Sequence, residues 1–203
     1  MTDALSRLTA FFKRFPGIGP RQASRFVYFL LKQDRGTLEY FANLILNLKR
    51  DVKQCPDCFR FFAIGLQELC TECSDDNRVS AHLLIIEKDA DLENARRIPE
   101  YNGKFFVLGG NVPILEDQPE KLIRLQQLCT RVSRDGAKLQ EIILALSATR
   151  EGDYTTTLIK DALQDLSKTH NITITMLGRG LSTGTEIEYI DPDTMSAALR
   201  NRA

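Results

Sequence analysis

Four of the five cysteines stand in two pairs, Cys55-x-x-Cys58 and Cys70-x-x-Cys73. A C-x-x-C turn supplies two thiolates from one knuckle, and two knuckles complete a tetrahedron of soft ligands. Four thiolates leave no open position for water, so the expected site is structural rather than catalytic. Zinc is the expected ion, although an iron–sulfur cluster takes the same donors. In a reducing compartment this spacing reads as metal ligation, not as a disulfide framework. A second constellation is Phe15-Pro16-Gly17-Ile18-Gly19-Pro20. Glycines let a backbone turn tightly and approach another molecule closely. Amides at this hairpin and at the start of the following helix point outward, and the helix dipole adds positive charge. Arg21 and Arg25, one helical turn apart, flank this phosphate seat, and Lys13 and Arg14 precede it. Such groups hold a DNA backbone without reading its sequence. The candidate DNA-binding residues are therefore Lys13, Arg14, Gly17, Gly19, Arg21 and Arg25. The bland alternative is a plain connector between helices, and basic residues at helical spacing count against it.

These groups need elements to hold them. Leu5, Leu8, Phe11 and Phe12 recur at helical spacing over residues 2–14, as do Ala23, Phe26, Val27, Leu30 and Leu31 over 20–32. Pro20 suits the first turn of the second helix. A third helix is expected over 37–52, with Leu38, Phe41, Ala42, Ile45 and Leu48 inward. Beyond the cysteines, short apolar runs at 83–86, 105–108, 142–146 and 172–176 predict buried strands. Helices are expected between them, over 89–98, 119–134 and 153–168. Pro119 opens the second of these, with Leu122, Leu125, Leu128 and Val132 inward. The alternation predicts an α/β fold with a mostly parallel sheet and flanking helices. Residues 186–202 read as a short edge strand and a last helix. Cys129 reads as a small buried hydrophobe. His82 and His170 are isolated, and no Ser/His/Asp set or P-loop is readable.

With 203 residues, the chain allows one large domain or two small ones. Its 43% hydrophobic and 27% charged content excludes a mostly disordered chain. No apolar run approaches the ~20 residues of a membrane span, and the first residues lack a secretory signal pattern. A cytoplasmic protein is expected. The net charge of zero conceals an asymmetry. Residues 1–54 carry ten Lys or Arg against four acids; residues 55–203 carry seventeen against twenty-three. A basic segment on an acidic body suits a nucleic-acid contact at one end.

The segment from Phe15 to Arg25 resembles the helix–hairpin–helix of DNA repair proteins. A helix–hairpin–helix, a four-cysteine finger and an α/β domain, in that order, resemble the RecR family of recombination mediators. Val107-Leu108-Gly109-Gly110 with Pro113, Glu151-Gly152-Asp153, and Gly178-Arg179-Gly180-Leu181 with Glu188-Tyr189 and Asp191 resemble its later segments. The resemblance implies four parts: 1–54 helix–hairpin–helix, 55–79 zinc finger, 80–177 Toprim-like domain and 178–203 C-terminal segment, the last in oligomerisation. It implies a non-catalytic DNA-binding scaffold in recombinational repair that works with RecO and RecF to load recombinase onto single-stranded DNA. It also implies a homo-oligomeric ring, which would give a short basic segment avidity.

An active Toprim site holds Mg²⁺ with one Glu and an Asp-x-Asp pair, because a hard cation wants oxygen ligands. Glu87 matches the Glu, but Ser147 and Thr149 stand in the aspartate places and bring no charge. The acidic residues Glu87, Asp91, Glu93 and Glu151 are then expected as a partner-docking surface, for RecO by the resemblance. Two rival readings are a Mg²⁺-dependent Toprim nuclease or primase-like enzyme, and a zinc-binding interaction module without nucleic acid. Three departures from the family pattern stand out. Eleven residues separate the cysteine pairs and Phe59 follows the first pair, where Gly is common. Arg21 stands where Lys is usual. Ser182-Thr183-Gly184-Thr185 replaces Pro-Val-Gly-Gly.

Overall fold

The computed structural model describes residues 3–181 and 184–201; Ser182 and Thr183 of the altered loop lie outside the described residues. The chain divides into two compact units, one through Val52 and one from Lys53 onward. The finger and the sheet therefore share a unit, and the helical N-terminus forms its own.

The first unit holds α1 (Ala4–Phe12), α2 (Pro20–Leu31) and α3 (Arg35–Asp51). Ala23 and Val27 of α2 are buried, and the Phe12 and Phe26 rings meet at 5.5 Å. Asp34 caps α3 by accepting from the Thr37 amide at 3.0 Å and the Thr37 hydroxyl at 2.6 Å. The inward face expected on α3 is not covered. No residue of α3 is buried, and Ile45 and Leu48 are 57% and 60% exposed. A 3.6-residue apolar stripe forms whether or not this unit supplies a partner for it.

The second unit opens within β1 (Val52–Gln54), whose first residue closes the first unit; β1 pairs with β2 (Phe61–Ala63), and α4 (Thr71–Ser74) follows. The sheet comprises β3 (Val79–Ile86), β4 (Gly103–Val107), β5 (Glu141–Ala145) and β6 (Thr173–Met176), in the order β4-β3-β5-β6. Every pairing is parallel; Ile85 sits beside Phe106 on one side and Leu144 on the other. Alternate strand residues point to opposite faces. On one face Leu83, Ile85, Phe106 and Ile142 pack with Leu128 and Val132 of α6 (Leu125–Asp135) and Ile159 and Leu163 of α7 (Arg150–His170). On the other, Leu84, Ile86, Phe105 and Val107 pack with Leu92 of α5 (Asp89–Ala95). The chain ends in α8 (Pro192–Arg200), capped by Asp191 accepting from the Thr194 amide at 2.9 Å.

Three expectations are corrected. The helix expected from Pro119 starts as a 3₁₀ turn, Pro119–Lys121, and α6 begins only at Leu125. Arg124 is the reason. Its amide bonds Leu108 O at 2.9 Å and its guanidinium donates to Val107 O at 2.8 Å, which holds the chain at the end of β4. Leu122, read as inward, is consequently 48% exposed. The expected edge strand after Glu186 is a 3₁₀ turn, Ile187–Tyr189. Cys129 is half-buried against the main core rather than sealed within it.

Candidate nucleic-acid interface and metal centre

The four paired cysteines converge. Their Sγ atoms all lie within 4.8 Å of one another, and Cys58 and Cys70 approach to 3.5 Å. A tetrahedral zinc about 2.3 Å from each thiolate needs sulfurs about 3.8 Å apart, so the donor set and its spacing fit a closed site. Cys55, Cys58 and Cys70 are buried and Cys73 is partly exposed, so most of the cluster is shielded from water. The neighbouring Cys58, Cys70 and Cys73 thiols hydrogen-bond to Cys55 and hold its thiol well below the usual range. The first knuckle closes through the Phe59 amide to Cys55 O at 3.0 Å and the Cys55 amide to Arg60 O at 2.9 Å. Phe59 sits at φ +62°, a left-handed conformation that usually favours glycine. Its ring offsets that cost by packing edge-on against Phe106, 5.3 Å between centroids, under the Arg124 guanidinium. The departure from Gly at this position is thus accommodated by the sheet beneath it.

The cluster is fastened to the sheet at several points. The Val107 amide donates to Cys58 O at 2.8 Å. The Lys104 ammonium donates to Cys73 O at 3.1 Å and Asp75 O at 2.7 Å. Asp57, between the first two cysteines, pairs with Arg134 at 2.8 Å and lies 3.8 Å from Arg131. Glu72, between the second two, pairs with Arg78 and sits 3.8 Å from Arg60. Sequence reasoning missed these ligand-adjacent charges, because their partners lie far along the chain.

The hairpin forms as expected. Gly17 has φ +76°, which a side chain rarely adopts, and the Ile18 amide bonds Phe15 O at 3.1 Å. Gly19 is the N-cap of α2 and Pro20 its first residue. Gly19 has an ordinary φ of −79°, and no described atom lies within 4 Å of where a Cβ would sit on it or on Gly17. Neither crowding nor φ demands Gly19, so its bareness leaves the backbone open to an approaching molecule. Lys13, Arg14, Arg21 and Arg25 are all exposed. Arg14 leans over the Phe11 ring at 5.7 Å, and Arg25 donates to Gln22 at 3.4 Å. None of the four forms an ion pair among the described residues. Cations without a carboxylate partner beside open amides can receive phosphate oxygens.

The third constellation is also assembled. Glu87, after β3, is 6% exposed. Its Oε2 accepts from Asn111 Nδ2 at 2.8 Å and from the Ser147 amide at 3.3 Å; its Oε1 faces Lys88 Nζ at 2.5 Å. Asn111 Nδ2 also donates to Ser147 Oγ at 2.7 Å, and Ser147 Oγ lies 3.4 Å from Thr149 Oγ1. Burial opposes ionisation of Glu87, but the Lys88 and Ser147 hydrogen bonds outweigh it and hold the carboxyl below its usual range. Thr149 accepts from the Gly152 amide at 3.1 Å and so caps α7. A Cβ on Gly152 would lie 1.9 Å from Ser147 O, so this glycine is required for the turn that presents Ser147. The other expected docking residues part company. Asp91 accepts from the Lys88 amide at 3.0 Å at the start of α5, and Glu93 pairs with Arg60 at 3.0 Å. Glu151 remains exposed in the first turn of α7. Glu87 is too buried and too committed to serve as a docking group. Asp153 pairs with Arg179, which ties the C-terminal segment to α7.

Comparison with known proteins gives matches along nearly the whole chain. Residues 5–49 match a family model described as RecR, helix-hairpin-helix; 81–177 match a Toprim domain; 180–203 match RecR, C-terminal. A recombination protein RecR of Prochlorococcus marinus (strain MIT 9312) is 33% identical over 201 residues, 99% of this chain and 96% of that protein. Its counterpart in Bacteroides thetaiotaomicron is 34% identical over 198 residues, 98% of this chain and 92% of that protein. Another, from Legionella pneumophila (strain Corby), is 34% identical over 201 residues, 99% of this chain and 98% of that protein.

Proposed function

The chain belongs to the RecR family of recombination proteins, and from that premise we propose that it is a non-catalytic, DNA-binding scaffold of recombinational repair. The observation that carries this reading is the open glycine hairpin with four exposed basic side chains around it that form no ion pair among the described residues. Such a surface binds phosphates without base contacts, so affinity is sequence-independent and falls with salt. RecO and RecF are its proposed partners, and loading of recombinase onto single-stranded DNA is the proposed outcome. Glu151 is the docking residue that the geometry leaves available to a basic partner surface. Removing it should weaken capture of RecO in a pull-down and leave DNA retention intact; unchanged capture would remove that role from Glu151.

The metal in this reading is zinc, held by Cys55, Cys58, Cys70 and Cys73. Bound there, it supplies folding free energy and no chemistry, since all four positions are thiolates. A homo-oligomer is proposed from the uncovered face of α3 and the apolar cleft of about 480 Å³ that Phe29, Leu38, Phe41 and Leu44 help to line. A second copy would cover it, and a ring would multiply the weak phosphate contacts. No described helix is long and apolar enough to cross a membrane, which agrees with the cytoplasmic location proposed here.

The non-enzyme reading rests on Ser147 and Thr149. Neither brings negative charge, and Mg²⁺ sheds water reluctantly for fewer than two carboxylates. The test is binding of labelled single- and double-stranded DNA with and without millimolar Mg²⁺, scoring retention and strand length together. Retention of intact DNA under both conditions is expected. Metal-dependent scission that Glu87→Ala abolishes would establish the nuclease alternative, and absence of retention would establish the pure interaction module.

A further inference from the structure

Toprim domains are built around a divalent cation, and the residues here do not fit one. Among the described residues, Glu87 is the one carboxylate bonded to Ser147 or Asn111, and both of its oxygens are already engaged. A buried carboxylate without a counter-charge is costly, so something in the chain must replace what the metal normally provides. We infer that Lys88 and Asn111 together take the place of the divalent cation: the Lys88 ammonium balances the charge of Glu87, and the Asn111 amide bridges Glu87 to Ser147. The two roles divide by oxygen. Oε1 faces the ammonium at 2.5 Å, and Oε2 takes the amide at 2.8 Å. The Asn111 amide then reaches Ser147 Oγ at 2.7 Å, linking the loop after β4 to the end of β5 much as shared metal ligands would. The assignment of the donating nitrogen follows from the pair it contacts, since an amide oxygen turned toward Glu87 would repel it. Lys88 is anchored independently, through its own amide on Asp91. The Lys88 side chain reaches Glu87 from the solvent side, 63% exposed, and as part of the chain it is always at hand, so the site should hold its shape with no dependence on Mg²⁺ concentration.

This inference rests on the non-catalytic reading, and its test uses no DNA, so the two can fail separately. Thermal melts of the zinc-loaded full chain are compared in Mg²⁺-free buffer and in millimolar Mg²⁺ at matched ionic strength, with no chelator, so that the four-cysteine site keeps its ion in both. The wild type should melt at the same temperature in both. Lys88→Gln should lower the melting temperature by about 3 °C in Mg²⁺-free buffer, and Lys88→Arg should restore it. In a Glu87→Gln background, Lys88→Gln should cost almost nothing, because there is no charge left to balance. A wild type that gains several degrees from Mg²⁺ would show that the divalent site survives and would overturn the inference. Additive effects of Lys88→Gln and Glu87→Gln would overturn it equally. The Mg²⁺ comparison on the wild type stands even where a variant fails to fold.

Discussion

In the N-terminal unit, Lys13, Arg14, Arg21 and Arg25 stand exposed with no carboxylate partner among the described residues; in the second unit, Arg60, Arg78 and Arg131 lie nearly sealed against Glu72, Glu93, Asp57 and Asp135. The residue types are the same and the uses are opposite. A buried arginine with carboxylates at both ends fastens one element to another, here the finger to the sheet and to α6. It has no charge left to offer a ligand. An exposed arginine without a partner contributes little to folding, because surface charges are screened and solvated. It keeps its full attraction for phosphate. The apolar residues divide in the same way: Phe106 and Ile85 are sealed, whereas much of α3 is not. One unit spends its side chains on itself and the other holds them ready for partners.

The contrast breaks most severely if the metal centre is lost. Cys58→Ala removes one of four donors, and a structural zinc site contributes roughly 10 kcal/mol or more to the fold it closes. The variant should be insoluble or partly unfolded in its second unit, with metal content by elemental analysis well below one ion per chain. Fully folded, metal-free protein would show that the cysteines do not hold the unit together.

Gly152→Ala should come next. The added methyl meets the Ser147 carbonyl, which is backbone and cannot swing aside. A loss of about 3 kcal/mol by urea unfolding is expected. DNA affinity per folded molecule should be unchanged, because the damage is confined to the second unit.

A smaller effect sharpens the electrostatic side. Burial of Asp135 opposes its ionisation, but hydrogen bonds from Arg134 and Arg131 outweigh this and hold its carboxyl below the usual range. A carboxyl lowered in the fold contributes stability above its unfolded pKa, and that stability is lost as pH falls through the folded value. Arg131→Met should cost about 2 kcal/mol near neutral pH. Its deficit should shrink once pH falls below the ordinary carboxylate value of about 4. Urea midpoints of both proteins across that range check the sign; a deficit constant with pH would mean that Arg131 acts through packing alone.

Most of this architecture was legible in the sequence because it is written in local patterns. Strand positions followed from short apolar runs, α1 and α2 from 3.6-residue spacing, and the metal centre from paired cysteines that nothing else explains. What escaped was set by distant contacts. Arg124 looks like one more helical residue until its guanidinium is found on Val107 O. Asn111 lies between Gly110 and Pro113 and is not itself one of the residues that sequence reasoning singles out, yet it joins Glu87 to Ser147 across 24 and 36 positions of chain. The stripe on α3 was visible, but periodicity records only that a face is apolar and not whether this unit covers it. The carboxylate surface narrows to Glu151 for a related reason: sequence shows which residues are acidic, not that Lys88 and Arg60 already hold Glu87 and Glu93.

The measurement that bears most directly on the central claim is DNA binding by Arg21→Ala with Arg25→Ala, followed across a salt series. Both side chains are exposed and form no ion pair among the described residues, so stability should stay within about 0.5 kcal/mol of the parent. Affinity should fall roughly tenfold or more between about 50 and 200 mM salt, equally for unrelated sequences. The log–log salt slope should flatten by about 1.8 on duplex, or about 1.4 on single strands, for two phosphate contacts removed. A stable double variant that binds with the parent's affinity and the parent's slope would contradict the account, and the hairpin would be a connector only.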